Sequence, residues 1–161
     1  MTYLDFDLID KNPQAIITTN TSAQITSTLS NTYVTINGSE ITYTPVNGSS
    51  KVVYEIGLYV EAKDKTAFQH IMLEENSGGS WSVIDNKFGK NFGAYGSDQN
   101  IRDYLYFRFV IPSWSGSRQL RLRSGTYTNN RHVSYHQITD WDGSGSVTNK
   151  FCNTSLFVYS I

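Results

Sequence analysis

Ser155-Leu-Phe-Val-Tyr-Ser-Ile161 closes the chain with a run of apolar residues and no polar tail after them. Chain ends normally fray into solvent. A closing segment this apolar is expected to be a β-strand held inside a sheet and to border a subunit interface. It points to an all-β building block that associates with itself.

Upstream segments also read as strands. In Val52-Val-Tyr-Glu-Ile-Gly-Leu-Tyr-Val60, residues Val52, Tyr54, Ile56, Leu58 and Val60 share one face, and Val53, Glu55, Gly57 and Tyr59 share the other. Tyr104-Leu-Tyr-Phe-Arg-Phe-Val-Ile111 is apolar on both faces apart from Arg108. Such a strand is covered on two sides, here by the core and by a neighbouring subunit. Gln119-Leu-Arg-Leu-Arg123 turns Leu120 and Leu122 inward and Arg121 and Arg123 outward.

Shorter strands are expected at 15–19, 25–29, 33–36, 41–44, 68–73, 81–84, 132–138 and 153–161. Asn37-Gly38 reads as a hairpin turn, Asn47-Gly48 as a second turn, Gly78-Gly79 as a break and Asp142-Gly143 as a turn. Residues 85–103 are polar and Gly-rich and read as the longest loop. About ten short strands with regular turn signals predict a jelly-roll β-sandwich over residues 15–161. In residues 1–14, Asp5, Asp7 and Asp10 alternate with Phe6, Leu8 and Ile9 before Asn12-Pro13. This segment reads as an N-terminal arm that attaches the domain to other proteins.

Composition narrows the function. A chain of 161 residues suits one domain with a real core. Net charge is −1, so nothing draws it to nucleic acid or anionic lipid. Cys152 is alone and forms no intrachain disulfide. The first ten residues lack a basic start and a long apolar run, so no signal peptide is expected and synthesis is assigned to a host cytoplasm. No stretch reaches transmembrane length, so membrane insertion is not expected.

Among the histidines, His132 and His136 lie four apart. On a strand that is about 13 Å, too far to hold one metal ion together. No metal site and no cofactor are expected. Asp140-Trp-Asp-Gly143 has the residues for a calcium or sugar site and equally those of a simple turn. No phosphate loop, nucleophile elbow or Ser/His/Asp arrangement occurs, so no catalytic residue is named and no enzymatic activity is expected.

Tryptophans are the best ligand-contact candidates, because an indole stacks on a sugar face or anchors a partner. Trp114 sits in the turn Pro112-Ser-Trp-Ser-Gly116, and Trp81 and Trp141 are the others. Trp114, Trp141 and Tyr95 are the candidate ligand contacts. Arg118, Arg121 and Arg123, with Arg108 expected on an adjacent strand, form the basic cluster. Guanidinium groups there suit a carboxylate on a neighbouring subunit or on an anionic glycan, with an inter-subunit salt bridge the expected use. The candidate interface set is Tyr104, Tyr106, Phe107, Arg121, Arg123, Phe157, Tyr159 and Ile161.

From about residue 33 to 161 the layout resembles the trimeric jelly rolls of the tumour necrosis factor and complement type, in the version used by bacteriophage fibres and virion knobs. The residues that carry the resemblance are Ile36-Asn-Gly-Ser-Glu-Ile-Thr-Tyr-Thr-Pro45 ahead of Val52–Val60, the aromatic strand Tyr104–Ile111, and Leu156–Ile161. It implies a homotrimer with termini near one end and a virion location. The expected role is a non-enzymatic virion structural protein, a knob, fibre tip or capsid appendage, with host-surface glycan as a further partner. The alternatives are a carbohydrate-binding module and a small polysaccharide-degrading jelly-roll enzyme.

Overall fold

A computed structural model describes residues 14–18, 24–27, 33–63, 67–92, 101–126, 131–141, 147–151 and 154–161. Side chains are described for 33–61, 70–85, 102–125, 135–136 and 155–161. All regular structure among them is β. The strands are β1 (Gln14–Thr18), β2 (Gln24–Ser27), β3 (Val34–Thr35), β4 (Ile41–Tyr43), β5 (Lys51–Lys63), β6 (Ala67–Ser77) and β7 (Ser80–Phe92). They continue with β8 (Ile101–Pro112), β9 (Arg118–Thr126), β10 (Arg131–Tyr135), β11 (Gln137–Trp141), β12 (Val147–Phe151) and β13 (Thr154–Ser160).

β5 is the spine of the first sheet. β8 runs antiparallel along its whole length on one side. On the other side β13 pairs with Val52–Gly57, and β10 pairs further along with Val60–Lys63. β1 then adds to β13, and β2 to β10. The second sheet runs β7, β6, β9, with β3 and β4 lying end to end along the far side of β9. β11 and β12 form a separate pair.

Alternation decides which face is buried. Val52, Tyr54, Ile56, Leu58 and Val60 of β5 are fully buried, as their spacing predicts, together with Leu156 and Val158 of β13. Leu120 and Leu122 of β9 and Ile71 and Leu73 of β6 join them in one core cluster. The core therefore lies between the sheets, and the molecule is a β-sandwich.

Three buried tyrosines bolt the sheets together. Tyr54 of the first sheet donates to the Ser39 carbonyl at 2.6 Å, beside β9. Tyr135 of the first sheet donates to Ser124 Oγ of the second at 2.6 Å. Tyr43 of the second sheet shares a 2.6 Å hydrogen bond with Ser160 Oγ of the first. Each ring adds apolar bulk to the core and carries its hydroxyl to a polar group across it, so burial leaves no oxygen unpaired. Burial also pushes the Tyr54 and Tyr135 hydroxyls well above the usual tyrosine range.

Asn47-Gly48 is a turn as expected, but Asn37-Gly38 does not close the expected hairpin. At Asn37-Gly38 and Asn47-Gly48 only the glycine has positive φ, +78° and +89°. A hairpin of type I′ needs positive φ at both central residues. These are type II-like turns, closed by Ser39 N–H to the Ile36 carbonyl and Ser49 N–H to the Val46 carbonyl. Accordingly β3 and β4 do not pair with each other, and β4 passes to β5 in the opposite sheet. Gly78 and Gly79 both have positive φ, +73° and +97°, and there β6 and β7 form a true hairpin closed at Ser77 and Ser80.

The expected long loop at 85–103 is mostly strand. β7 continues to Phe92, paired with Ala67 of β6, and β8 begins at Ile101. The expected strand 132–138 is broken at His136, whose φ is +59°. β10 and β11 leave the break as members of different sheets, so His132 and His136 do not share one strand. Asp142 and Gly143 lie outside the described residues.

His136 itself is fully buried, with its N–H on the Tyr59 carbonyl and Nε2 at 3.1 Å from the Asn37 carbonyl. Burial lowers its pKa below the ordinary 6.5. In the unfolded chain the imidazole takes a proton near that pH, whereas the folded protein resists until lower pH. The unfolded state then binds more protons, so stability falls as pH drops through about 6.5. Urea melts at pH 7 and pH 5 should show this loss, and His136→Asn, which tolerates positive φ, should reduce it. An unchanged pH difference in the variant would exclude His136 as its source.

Candidate functional site

The outer face of the first sheet carries the main surface feature. On β5, β8 and β13 the residues alternate to the core set, and register places them in rows. Tyr159, Val53 and Val110 form one row. Phe157, Glu55 and Arg108 form the next, followed by Ser155, Gly57 and Tyr106. Tyr59 and Tyr104 pair beyond them, with ring centroids 4.9 Å apart. Among the described residues eight large apolar side chains are exposed, and six lie on this face: Tyr59, Tyr104, Tyr106, Val110, Phe157 and Ile161. Scattered exposed apolar residues are ordinary, but a contiguous set marks an interaction surface.

A small polar group sits within it. Arg108 Nε lies 2.8 Å from Glu55 Oε1, and the Tyr159 hydroxyl donates to the same oxygen at 3.1 Å. The pair is charge-neutral, so a second copy of the face meets no net repulsion. Burial and the nearby Glu55 carboxylate raise the Tyr106 pKa, keeping its hydroxyl neutral. Gly57 keeps the face low. A Cβ at that position would lie 1.7 Å from the Tyr104 hydroxyl, so only glycine lets that ring lie across β5.

The expected interface residues divide. Tyr104, Tyr106, Phe157, Tyr159 and Ile161 lie together on this face. Phe107 points the other way, half-buried against the core, because β8 alternates. Arg121 and Arg123 lie on β9 in the second sheet, and the carboxylate they hold is Glu74 of their own chain, at 2.8 and 3.2 Å. Arg121 also stacks 3.7 Å above the Trp81 ring.

The basic cluster expected from the sequence is likewise dispersed. Arg108 belongs to β8 and Arg118 to β9, consecutive strands in opposite sheets. Arg118 pairs with Glu75 at 2.7 Å. Each of these arginines therefore has an acidic neighbour within the chain.

Glu74 is nearly fully buried beneath its two arginines. Removing it leaves two guanidinium groups, themselves largely covered, without a counter-charge. Glu74→Ala is expected to cost about 3 kcal/mol, the low end for breaking a buried pair. A chemical denaturation curve measures this, and a change under 1 kcal/mol would mean the arginines find other partners.

Trp114 occupies the rim of the sandwich. It packs on the core cluster, with Tyr43 edge-on at 6.3 Å and the Arg118 guanidinium 5.3 Å from its ring centre. Its Nε1–H is buried and meets no acceptor among the described residues. Trp114 also lines a cleft of about 520 Å³ between the Asn47-Gly48 turn and the Ser113–Gly116 turn. The structure does not bring Trp114, Trp141 and Tyr95 together: Trp141 is described only by its backbone, at the end of β11, and Tyr95 lies outside the described residues. Among the described residues no three His, Cys, Asp or Glu side chains are grouped to hold a metal ion, and no helix is long and apolar enough to cross a membrane.

Sequence reasoning missed the cleft, the buried Glu74 and the role of Gly57. For Glu74 a signal existed: two arginines spaced i, i+2 on one strand require an acidic neighbour on the strand beside it. No family model matches this chain, and no curated protein matches its sequence.

Proposed function

We propose that this chain is a non-enzymatic structural protein of a bacteriophage-like virion, a homotrimeric jelly-roll knob, fibre tip or capsid appendage that contributes to host-surface adhesion. The observation that carries the reading is the aromatic outer face of β5, β8 and β13. Its occupant is the same face of two further copies. The tyrosines supply rigid contact area with few rotatable bonds. The Glu55–Arg108 pair is neutral as a unit, which favours another copy of this chain over a strongly charged partner, and three copies close the ring by heterologous contacts about a three-fold axis. β8 pairs only with β5 among the described strands, and a long apolar edge strand is normally covered.

The strand order supports the jelly roll. β4, β5 and β6 alternate between the sheets, β6 and β7 form a hairpin, β8 and β9 alternate again, and β13 returns between β1 and β5. Such a return of the last strand beside the first belongs to the double Greek key. A virion role follows from the resemblance noted in the sequence. The N-terminal arm, residues 1–14, is assigned to other virion proteins, and avidity from three copies strengthens each weak surface contact. The cleft beside Trp114 favours one second reading, a carbohydrate-binding module, which would be a monomer.

Light scattering on the purified chain tests the reading. The expected mass is three times the 18.2 kDa of one chain, with about 2,000 Å² or more buried in the assembly. A monomer at micromolar concentration overturns the trimer. Mass spectrometry of particles purified from the host tests the location, and absence of the chain from them overturns the virion role.

A further inference from the structure

We propose that the cleft between the Asn47-Gly48 turn and the Ser113–Gly116 turn binds a neutral saccharide. The inference rests on the adhesive part of the reading above and names its ligand class.

The lining decides the chemistry. Thr44, Asn47, Ser49, Ser113 and Ser115 offer hydroxyl and amide groups, and Pro45, Val46 and Trp114 offer apolar surface. Among the described residues no charged side chain lines the cleft. Arg118, which packs on the Trp114 ring, is already neutralised by Glu75 at 2.7 Å, so a phosphate, sulfate or uronic acid finds no unpaired cation there. A ligand with many hydroxyls and apolar C–H faces matches both halves of the lining. The volume, about 520 Å³, falls in the range of small-ligand sites.

The walls are fixed before any ligand arrives. Ser49 Oγ and Ser113 Oγ share a 2.7 Å hydrogen bond that ties the two turns together. Ser113 N–H donates to the Ser50 carbonyl at 3.1 Å, and Val46 N–H donates to Ser160 Oγ at 3.2 Å. A site held this way loses little conformational freedom on binding. Gly48 and Gly116 have positive φ, +89° and +80°, and the space where a Cβ would stand is open at both. Bare backbone at both turns allows close approach. Trp114 adds an independent sign: a phenylalanine would cap the same corner without a buried N–H that meets no acceptor among the described residues.

The test is an amide and indole NMR titration of the full chain. Maltohexaose, chitotetraose and mannotriose are the neutral probes, and sialyllactose is the anionic comparison. Ser115 is exposed at the mouth of the cleft, so Ser115→Arg obstructs it without touching the core. The expected result is shifts at residues 44–49, at 113–116 and at the Trp114 indole with at least one neutral probe at millimolar concentration. Ser115→Arg should weaken that binding about tenfold or more with no change in Tm. No response from any neutral probe overturns the proposal, as does tighter binding of sialyllactose or binding that Ser115→Arg leaves intact. Light scattering on the same samples separates the two readings. A monomer that binds the sugar overturns the trimer and keeps the cleft, and a trimer that binds none does the reverse.

Discussion

Deleting Leu156–Ile161 is expected to abolish folding. β13 lies between β1 and β5, so its loss strips hydrogen-bond partners from both neighbours. Leu156 and Val158 are fully buried and together contribute about 3–6 kcal/mol. Ser160 also disappears, and with it the hydrogen bonds to Tyr43 and to the Val46 amide. The Ile161 backbone holds the start of β5: its carbonyl accepts from Ser50 and Lys51, and its N–H donates to the Lys51 carbonyl. These losses compare with a total stability of about 5–15 kcal/mol. The truncated chain should be insoluble, or lack a cooperative melt by circular dichroism. A milder version, Leu156→Ala, should cost about 2–5 kcal/mol through the cavity it leaves. A truncated chain that melts cooperatively would show that the first sheet does not depend on its inner strand.

The second large effect is expected at the aromatic face. Tyr106 is 57% exposed in the single chain, so Tyr106→Asp should leave the subunit folded. In an assembly built on this face the same change buries an unpaired carboxylate in each subunit, at several kcal/mol apiece. The trimer should give way to monomers at micromolar concentration, seen by light scattering, while the far-ultraviolet spectrum stays unchanged. Val83 is similarly exposed but lies on β7 in the second sheet, so Val83→Asp serves as a control that should remain trimeric. Equal behaviour of the two variants would remove this face from the assembly.

The fold was readable from the chain where burial follows alternation. Val52–Val60, Leu120 and Leu122, and Leu156 and Val158 all face the core as their spacing predicts. Connectivity was less readable. Asn37-Gly38 reads as a hairpin, and only the backbone φ of the asparagine, which the sequence does not state, distinguishes it from the type II-like turn found there. The arginines failed for a related reason. Neighbours in sequence such as β8 and β9 are not neighbours in a sheet when the chain crosses between layers, so Arg108 and Arg118 to Arg123 never meet. Tyr104 and Tyr106 lie on the outer face, whereas Phe107, next to Tyr106, turns to the core, because alternation permits only one of two adjacent residues to face outward. The cleft was beyond reach altogether, since its two walls come from segments about 65 residues apart that only the finished sandwich brings together.

The place of β13 beside β5 also governs how the chain is born. Leu156 pairs with Ile56, so the central strand of the first sheet waits for a partner made a hundred residues later. During translation β5 and β8 emerge early, with their aromatic side chains and one open flank unprotected. Topologies dominated by such distant pairings fold slowly, and nascent chains with bare strand edges are prone to aggregate. Productive folding therefore belongs to the period after residue 160 has cleared the ribosome, and a chaperone that shields β5 until then is expected to raise the yield.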